Sequence, residues 1–197
     1  NKKREIINKI RINLNVDKIK TIILENIALE LKTDRCFIAD FQPLSKWLNI
    51  VKSEVLSSST KASLKGKLPN IASAKLTSLA INKQELFIPD VSKYIKENNL
   101  KNTAIYDYYK NYKIKSSYAT PIIFEEEAKG VIVLHYTENV CRLSKEYIFF
   151  LKNIINILAV SIFQAKLYES QKLTAQREGI LRKIIAEINI SSDLGKL

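Results

Sequence analysis

Methionine is absent from the 197 residues, and the first residue is Asn. A chain with neither a start residue nor any internal Met reads as a segment of a longer protein, with its natural N-terminus elsewhere. Also missing is a charge-free run of about 18 apolar residues, the length a membrane-crossing helix needs. The most apolar stretch, Tyr147 to Leu167, still holds Lys152, Gln164 and Lys166. The chain does not open on a basic-then-apolar signal peptide. The expectation is a cytoplasmic segment without membrane insertion.

Cysteine is scarce: Cys36 and Cys141 lie far apart and form no pair motif. They read as free thiols in a reducing compartment, which excludes a disulfide framework and a Cys-based zinc site. Histidine occurs once, at His135. Catalysis of the Ser-His-Asp or Cys-His kind would have to use it, and nothing nearby in sequence completes a set. No catalytic residue and no metal ligand is assigned, and the segment is not expected to be an enzyme.

Arginine is scarce as well. The net charge is +12, but of 32 basic residues 26 are Lys and six are Arg, scattered along the chain. Arg supplies the forked contacts to base edges and phosphates, and no helix-turn-helix or zinc-knuckle pattern is present. The abundance of Lys, Ile and Asn together is what an A+T-rich coding sequence produces, so nucleic acid is not an expected partner.

What is present is a 46% hydrophobic chain of one-domain size. Ile6, Ile7, Ile10 and Leu14 show helical spacing over Lys2 to Leu14, and Asn15-Val16-Asp17 interrupts. Ile19, Ile22, Ile23, Ile27 and Leu31 mark a second helix. Asp34 to Phe41 reads as a strand, Trp47 to Leu56 as a weaker one, and Ser57 to Asn70 as a loop. A helix over Ile71 to Ile81 precedes a short strand, Leu86-Phe87-Ile88, stopped by Pro89-Asp90. Two short helices are expected within Val91 to Tyr112. Two strong strands follow, Ile114 to Glu125 and Ala128 to Thr137, with a hairpin turn between them. A long helix starts at Ser144, a good N-cap residue. Its seam, Ile148, Leu151, Ile155, Leu158, Ile162 and Ala165, alternates steps of three and four.

Arg177-Glu178-Gly179-Ile180-Leu181-Arg182-Lys183-Ile184 resembles Arg4-Glu5-Ile6-Ile7-Asn8-Lys9-Ile10. The end of the chain therefore reads as the opening helix of a second copy. The expected organisation is a connector helix over 1–15, one domain over 16–168, and a second connector over 169–197.

This order of elements resembles the GAF family over about residues 16 to 168. Thr33-Asp34-Arg35-Cys36-Phe37-Ile38 is similar to the family's first-strand motif, and Leu86-Phe87-Ile88-Pro89-Asp90-Val91 to its short strand ending at Asp. Ser117-Tyr118-Ala119-Thr120-Pro121-Ile122 with Gly130-Val131-Ile132-Val133-Leu134-His135 resembles the core hairpin. Arg142-Leu143-Ser144-Lys145-Glu146 and Ala165-Lys166-Leu167-Tyr168-Glu169 resemble the exit helix, especially that of cyanobacterial, phytochrome-like multidomain sensors.

The resemblance implies an α/β (α+β) fold: a central antiparallel sheet of five or six strands. The terminal helices would cover one face and the variable segment the other, with a long C-terminal connector helix. It also implies a sensory domain of a two-component-like signalling protein, relaying a small-molecule signal through a homodimer to a downstream domain. In photoreceptor members a bilin is attached by a Cys before the core hairpin; that place falls near Ala104-Ile105, so covalent bilin is not expected. Asp34-Arg35-Cys36-Phe37 matches a second-cysteine motif of some photoreceptors, but in the wrong element, and Cys36 reads as a small buried residue. His135-Tyr136-Thr137-Glu138 stands where cyclic-nucleotide binders carry a different pattern.

The candidate pocket comprises Asp90, Tyr94, Tyr106, Tyr109, Tyr118, Thr120 and His135, since Tyr offers both an apolar face and a hydroxyl. These rings either contact a ligand or plug a space that holds none. The cofactor is left unassigned. Two alternatives accompany the sensor: a ligand-free dimerising spacer, and an atypical or non-covalent bilin receptor. The expected dimer interface is Ile148, Leu151, Ile155, Leu158 and Ile162.

Overall fold

A computed structural model of the chain describes residues 15–41, 47–58, 62–141 and 143–194. The connector helix expected over residues 1–15 lies almost entirely outside them. Helix α1 spans Val16–Leu31, and Asn15, expected only to interrupt, caps it by accepting from the Lys18 amide at 3.0 Å. Strands β1 (Arg35–Phe41) and β2 (Leu48–Leu56) follow, then β3 (Gly66–Lys67). Helix α2 (Asn70–Ile81) leads to β4 (Leu86–Ile88). Two short helices, α3 (Val91–Glu97) and α4 (Ala104–Asn111), precede the hairpin of β5 (Ser116–Phe124) and β6 (Glu127–Tyr136). Helix α5 runs from Lys145 to Leu194.

All strand pairs are antiparallel, and the sheet order is β3-β2-β1-β6-β5-β4. The hairpin turn falls one residue earlier than expected. Glu125 and Glu126 alone form it, both at positive φ (47° and 65°), the conformation two-residue hairpins require. Strand β3 also departs from the sequence reading: it pairs two residues of the Ser57–Asn70 loop with Ile50 and Val51.

Side chains alternate across the sheet, and each face builds its own core. Cys36, Ile38, Tyr118, Ile122, Ile132, Leu134 and Tyr136 point to α1 and α5, against Ile23, Ile27, Leu151, Leu158 and Ile162. Phe37, Ala39, Val131 and Val133 point to the other side, beneath α2, α3 and α4. The expected division of the two faces is what the fold shows.

Polar contacts tie the helices down. The Tyr136 hydroxyl donates to the Leu31 carbonyl at 3.1 Å. The Tyr118 hydroxyl donates to Glu85 at 2.7 Å, and Lys152 of α5 donates to the other Glu85 oxygen at 3.3 Å. Ser144 starts α5 by accepting from the Tyr147 amide at 3.3 Å.

The seam on α5 requires a correction. Leu151, Ile155, Leu158 and Ile162 are buried in this chain's own core, and Ile148 is half-buried. They cannot meet a second helix while they pack on the sheet. A seam of alternating three- and four-residue steps is what one apolar face of any helix produces, whatever covers it. Over Lys145–Ile185 the helix is long and apolar enough, by length and composition alone, to cross a membrane. From Lys166 to Ile185 it is exposed on every side.

Candidate functional site

The face under α2–α4 carries a buried polar cluster that begins with two neighbours in register. Arg35 on β1 stands opposite His135 on β6. Period-two alternation puts both on the side of Phe37 and Val133, and each is 1% exposed. Arg35 Nη1 lies 3.2 Å from His135 Nδ1. A guanidinium only donates, so Nδ1 accepts and the imidazole carries its proton on Nε2. Arg35 Nη2 donates to the Ala62 carbonyl. The Glu54 carboxylate, on β2, lies 3.6 Å from Arg35 Nε and accepts from the Leu64 amide at 2.9 Å and from the Ser63 hydroxyl.

Asp34 anchors the strand end beside this cluster. Its Oδ2 accepts from the Thr137 and Glu138 amides at 2.6 and 3.1 Å, while its own amide donates to the His135 carbonyl. The Asp34-Arg35 pair thus joins β1 to the exit of β6 through both residues.

Aromatic rings close the cluster. Phe37 meets His135 edge-on at 5.5 Å, and Tyr108 of α4 meets it at 6.1 Å. Tyr112 lies under the Arg35 guanidinium at 5.3 Å, within cation–π range. Tyr108 also contacts Tyr109 and Tyr112, and Tyr109 contacts Tyr94 at 6.5 Å. These rings pack between the sheet and α4.

Burial, then the neighbouring Arg35 charge, holds the His135 pKa well below its ordinary 6.5. Burial also raises the Tyr108 and Tyr109 hydroxyls. It lowers the Arg35 guanidinium from its ordinary value, against the opposing pull of Glu54. His135 therefore stays neutral in the folded protein at neutral pH. Above pH 6.5 both folded and unfolded chains hold a neutral imidazole, and stability is unaffected by this group. Below it the unfolded chain takes up a proton that the folded one does not, so stability falls as pH falls, by up to about 1.4 kcal/mol per unit. Urea titrations between pH 7 and 5 should show that slope, and His135→Gln should flatten it.

The candidate pocket residues divide. His135 and Tyr109 lie in the cluster or against it, Tyr94 packs on Tyr109, and Tyr106 is half-buried on α4. Asp90 caps α3 by accepting from the Lys93 amide at 3.1 Å. Tyr118 and Thr120 do not belong with them. They pair with Leu134 and Ile132 on the α1–α5 face, so the sheet separates them from His135. Cys36 is on that far face too, fully buried, its thiol pKa raised by desolvation. Cys141 is a free thiol in the loop before α5. Among the described residues no group of three His, Cys, Asp or Glu side chains could hold a metal.

Arg35 and Glu54 were not singled out as site residues from the sequence. The signal available was parity: Arg35 alternates with Phe37 and Ala39, so a buried strand face had to contain a guanidinium.

The family profile described as "GAF domain" matches residues 15–162. The chain belongs to the GAF domain family. Among solved structures, the phycocyanobilin-bound GAF domain of a cyanobacterial phytochrome is 25% identical, with a TM-score of 0.67 over 84% of this chain and 93% of that one. Residues 122 to 287 of a methyl-accepting chemotaxis protein are 20% identical, at 0.66 over 83% of this chain and 98% of that fragment. The GAF domain of an Acinetobacter phosphoenolpyruvate-protein phosphotransferase is 15% identical, at 0.63 over 83% and 92%. No curated protein sequence matches the chain. This GAF domain is of the kind found in sensory signalling proteins.

On the outer side of the tyrosine cluster, α3, α4, the loop leading into β5 and Thr137 border an open cleft of about 500 Å³, with Tyr106 and Tyr109 in its walls.

Proposed function

We propose that this GAF domain is a relay module of a cytoplasmic multidomain signalling protein, itself without catalytic activity. A change at the α2–α4 cover passes through the sheet to α5, and α5 carries it to the next domain as one strand of a parallel homodimer. The observation that carries this reading is the continuity of α5. The helix is 50 residues long, about 75 Å at 1.5 Å per residue. It begins as a core element and is exposed on every side from Lys166 to Ile185, so its outer half cannot move independently of the sheet.

A lone exposed helix is marginal in water and gains most of its stability from packing. The exposed half carries the residues for that packing. Val160, Leu167 and Leu181 stand on the outer side of α5, at seven- and fourteen-residue intervals that keep them on one stripe. The dimer interface proposed here is this outer stripe.

The input is a small molecule acting on the helical cover and not on the sheet surface, which the tyrosines occupy. That same filling favours the spacer as the second reading, in which the domain only sets dimer geometry. A bilin would need the Tyr108–Tyr112 cluster to move aside, and no thiol stands at Ala104-Ile105 to hold it.

Sedimentation of the full chain at tens of micromolar tests the relay. A dimer is expected, and Leu167→Glu with Leu181→Glu should convert it to monomer. A chain that is monomeric throughout, or a dimer indifferent to both changes, would overturn the reading.

A further inference from the structure

We propose that the cleft between α3 and α4 binds a small dianion with an aromatic or planar body. Three lysines line the cleft, Lys110, Lys113 and Lys115. The Lys115 ammonium donates to the Glu138 backbone carbonyl, and the Lys110 ammonium lies 5.9 Å from the Tyr106 ring centroid. Among the described residues neither Lys110 nor Lys113 has an acidic partner, and no carboxylate lines the cleft.

The backbone beneath these lysines is fixed. The Ile114 amide donates to the Tyr109 carbonyl, and the Lys115 amide to Tyr136, each at 2.8 Å; the Val91 amide returns to the Lys115 carbonyl at 2.8 Å. Lys113 is held in the left-handed region at φ 53°. The fold therefore gathers three like charges within six residues, with no carboxylate in the lining of the cleft. Their mutual repulsion is relieved by a doubly negative group placed between them.

The walls define the rest of the ligand. Tyr106, Tyr109, Ile95 and Ile114 offer apolar surface, and Ser92 offers a hydroxyl. A volume of about 500 Å³ is that of a small-molecule site and too small for a protein segment of any length. Tyr109 connects this cleft to Tyr108 and so to His135 and Arg35. The proposal rests on the relay reading only for what binding does afterwards, not for binding itself.

The test is an amide NMR titration of the full chain with phenyl phosphate, with inorganic phosphate and phenol as separate probes. Saturable shifts are expected at Tyr106, Lys110, Lys113 and Lys115, with Kd near or below about 1 mM and weaker binding of both partial probes. Lys110→Gln with Lys113→Asn should weaken binding about tenfold, the loss of two charge-assisted contacts. Asn tolerates the left-handed backbone there, and an unchanged melting temperature would show that the variant is folded.

Unsaturable shifts spread over surface lysines, equal affinity for inorganic phosphate, or a folded double variant that binds as before would overturn the proposal. Tight, strongly salt-dependent binding of single-stranded nucleic acid at the same lysines, with phenyl phosphate inert, would overturn it in favour of a different partner. The two readings fail separately. Saturable binding by a chain that sediments as a monomer keeps the cleft and removes the relay, whereas a dimer with no binding does the reverse.

Discussion

Replacing Arg35 with Ala is expected to destabilise the domain by about 3–5 kcal/mol, the cost of leaving one partner of a buried ion pair without the other. Glu54, nearly as buried as Arg35, would face the cover alone, and the Ala62 carbonyl and His135 Nδ1 would each lose a donor. For a protein of this size that corresponds to a fall in melting temperature of about 6–20 °C. Thermal and urea unfolding of the purified chain would measure it. Arg35→Met with Glu54→Leu should recover much of the loss, because the uncompensated charge goes as well. The recovery stays incomplete, since the Leu64 amide keeps no acceptor. A single-variant cost under about 1 kcal/mol would mean that water reaches the cluster and that the rings do not seal it.

The second large effect is on the opposite face. Leu158 is fully buried where α5 crosses the sheet. Leu158→Ala should cost about 3–5 kcal/mol, combining lost transfer free energy with the cavity left behind. The two losses differ in what accompanies them. Arg35→Ala loosens the cover and should leave α5 seated, whereas Leu158→Ala weakens the root of α5 itself. Hydrogen exchange would separate them, with faster exchange over Leu151 to Ala165 in the Leu158 variant. Equal exchange in both variants would mean that the two faces of the sheet are not energetically distinct.

Much of this architecture is legible in the residues because each element carries its own signal. The Ser-Tyr-Ala-Thr-Pro-Ile-Ile and Val-Ile-Val-Leu-His-Tyr runs are rich in β-branched and aromatic side chains, and the Leu-Phe-Ile strand ends at a Pro. Asp90 and Thr103 cap the two short helices that the aromatic segment was expected to form. Less legible was everything that depends on which partner covers a face. Alternation puts Tyr118 and Thr120 together, but only the pairing with Leu134 and Ile132 shows that they lie under α5 and away from His135. The α5 seam announces an apolar stripe without saying whether a sheet or a second helix receives it.

The buried Arg35 illustrates a third difficulty. Composition treats a guanidinium as surface, and it becomes a core group only because Glu54, His135 and the Ala62 carbonyl arrive from distant parts of the chain. Strand β3 was invisible for a simpler reason. Two residues, Gly66 and Lys67, have no periodicity to read, and their pairing with β2 comes from tertiary contact.

Disulfide cross-linking tests directly which side of α5 meets a second copy. In a Cys141→Ser background, with Cys36 shielded in the core, single cysteines would be placed at Leu167 and at Ala165. Leu167 is 48% exposed on the outer stripe and Ala165 is 2% exposed on the inner face. Under mild oxidation Leu167→Cys should yield a covalent dimer on a non-reducing gel, while Ala165→Cys stays monomeric. Cross-linking through Ala165→Cys, or none through Leu167→Cys, would contradict the relay as drawn.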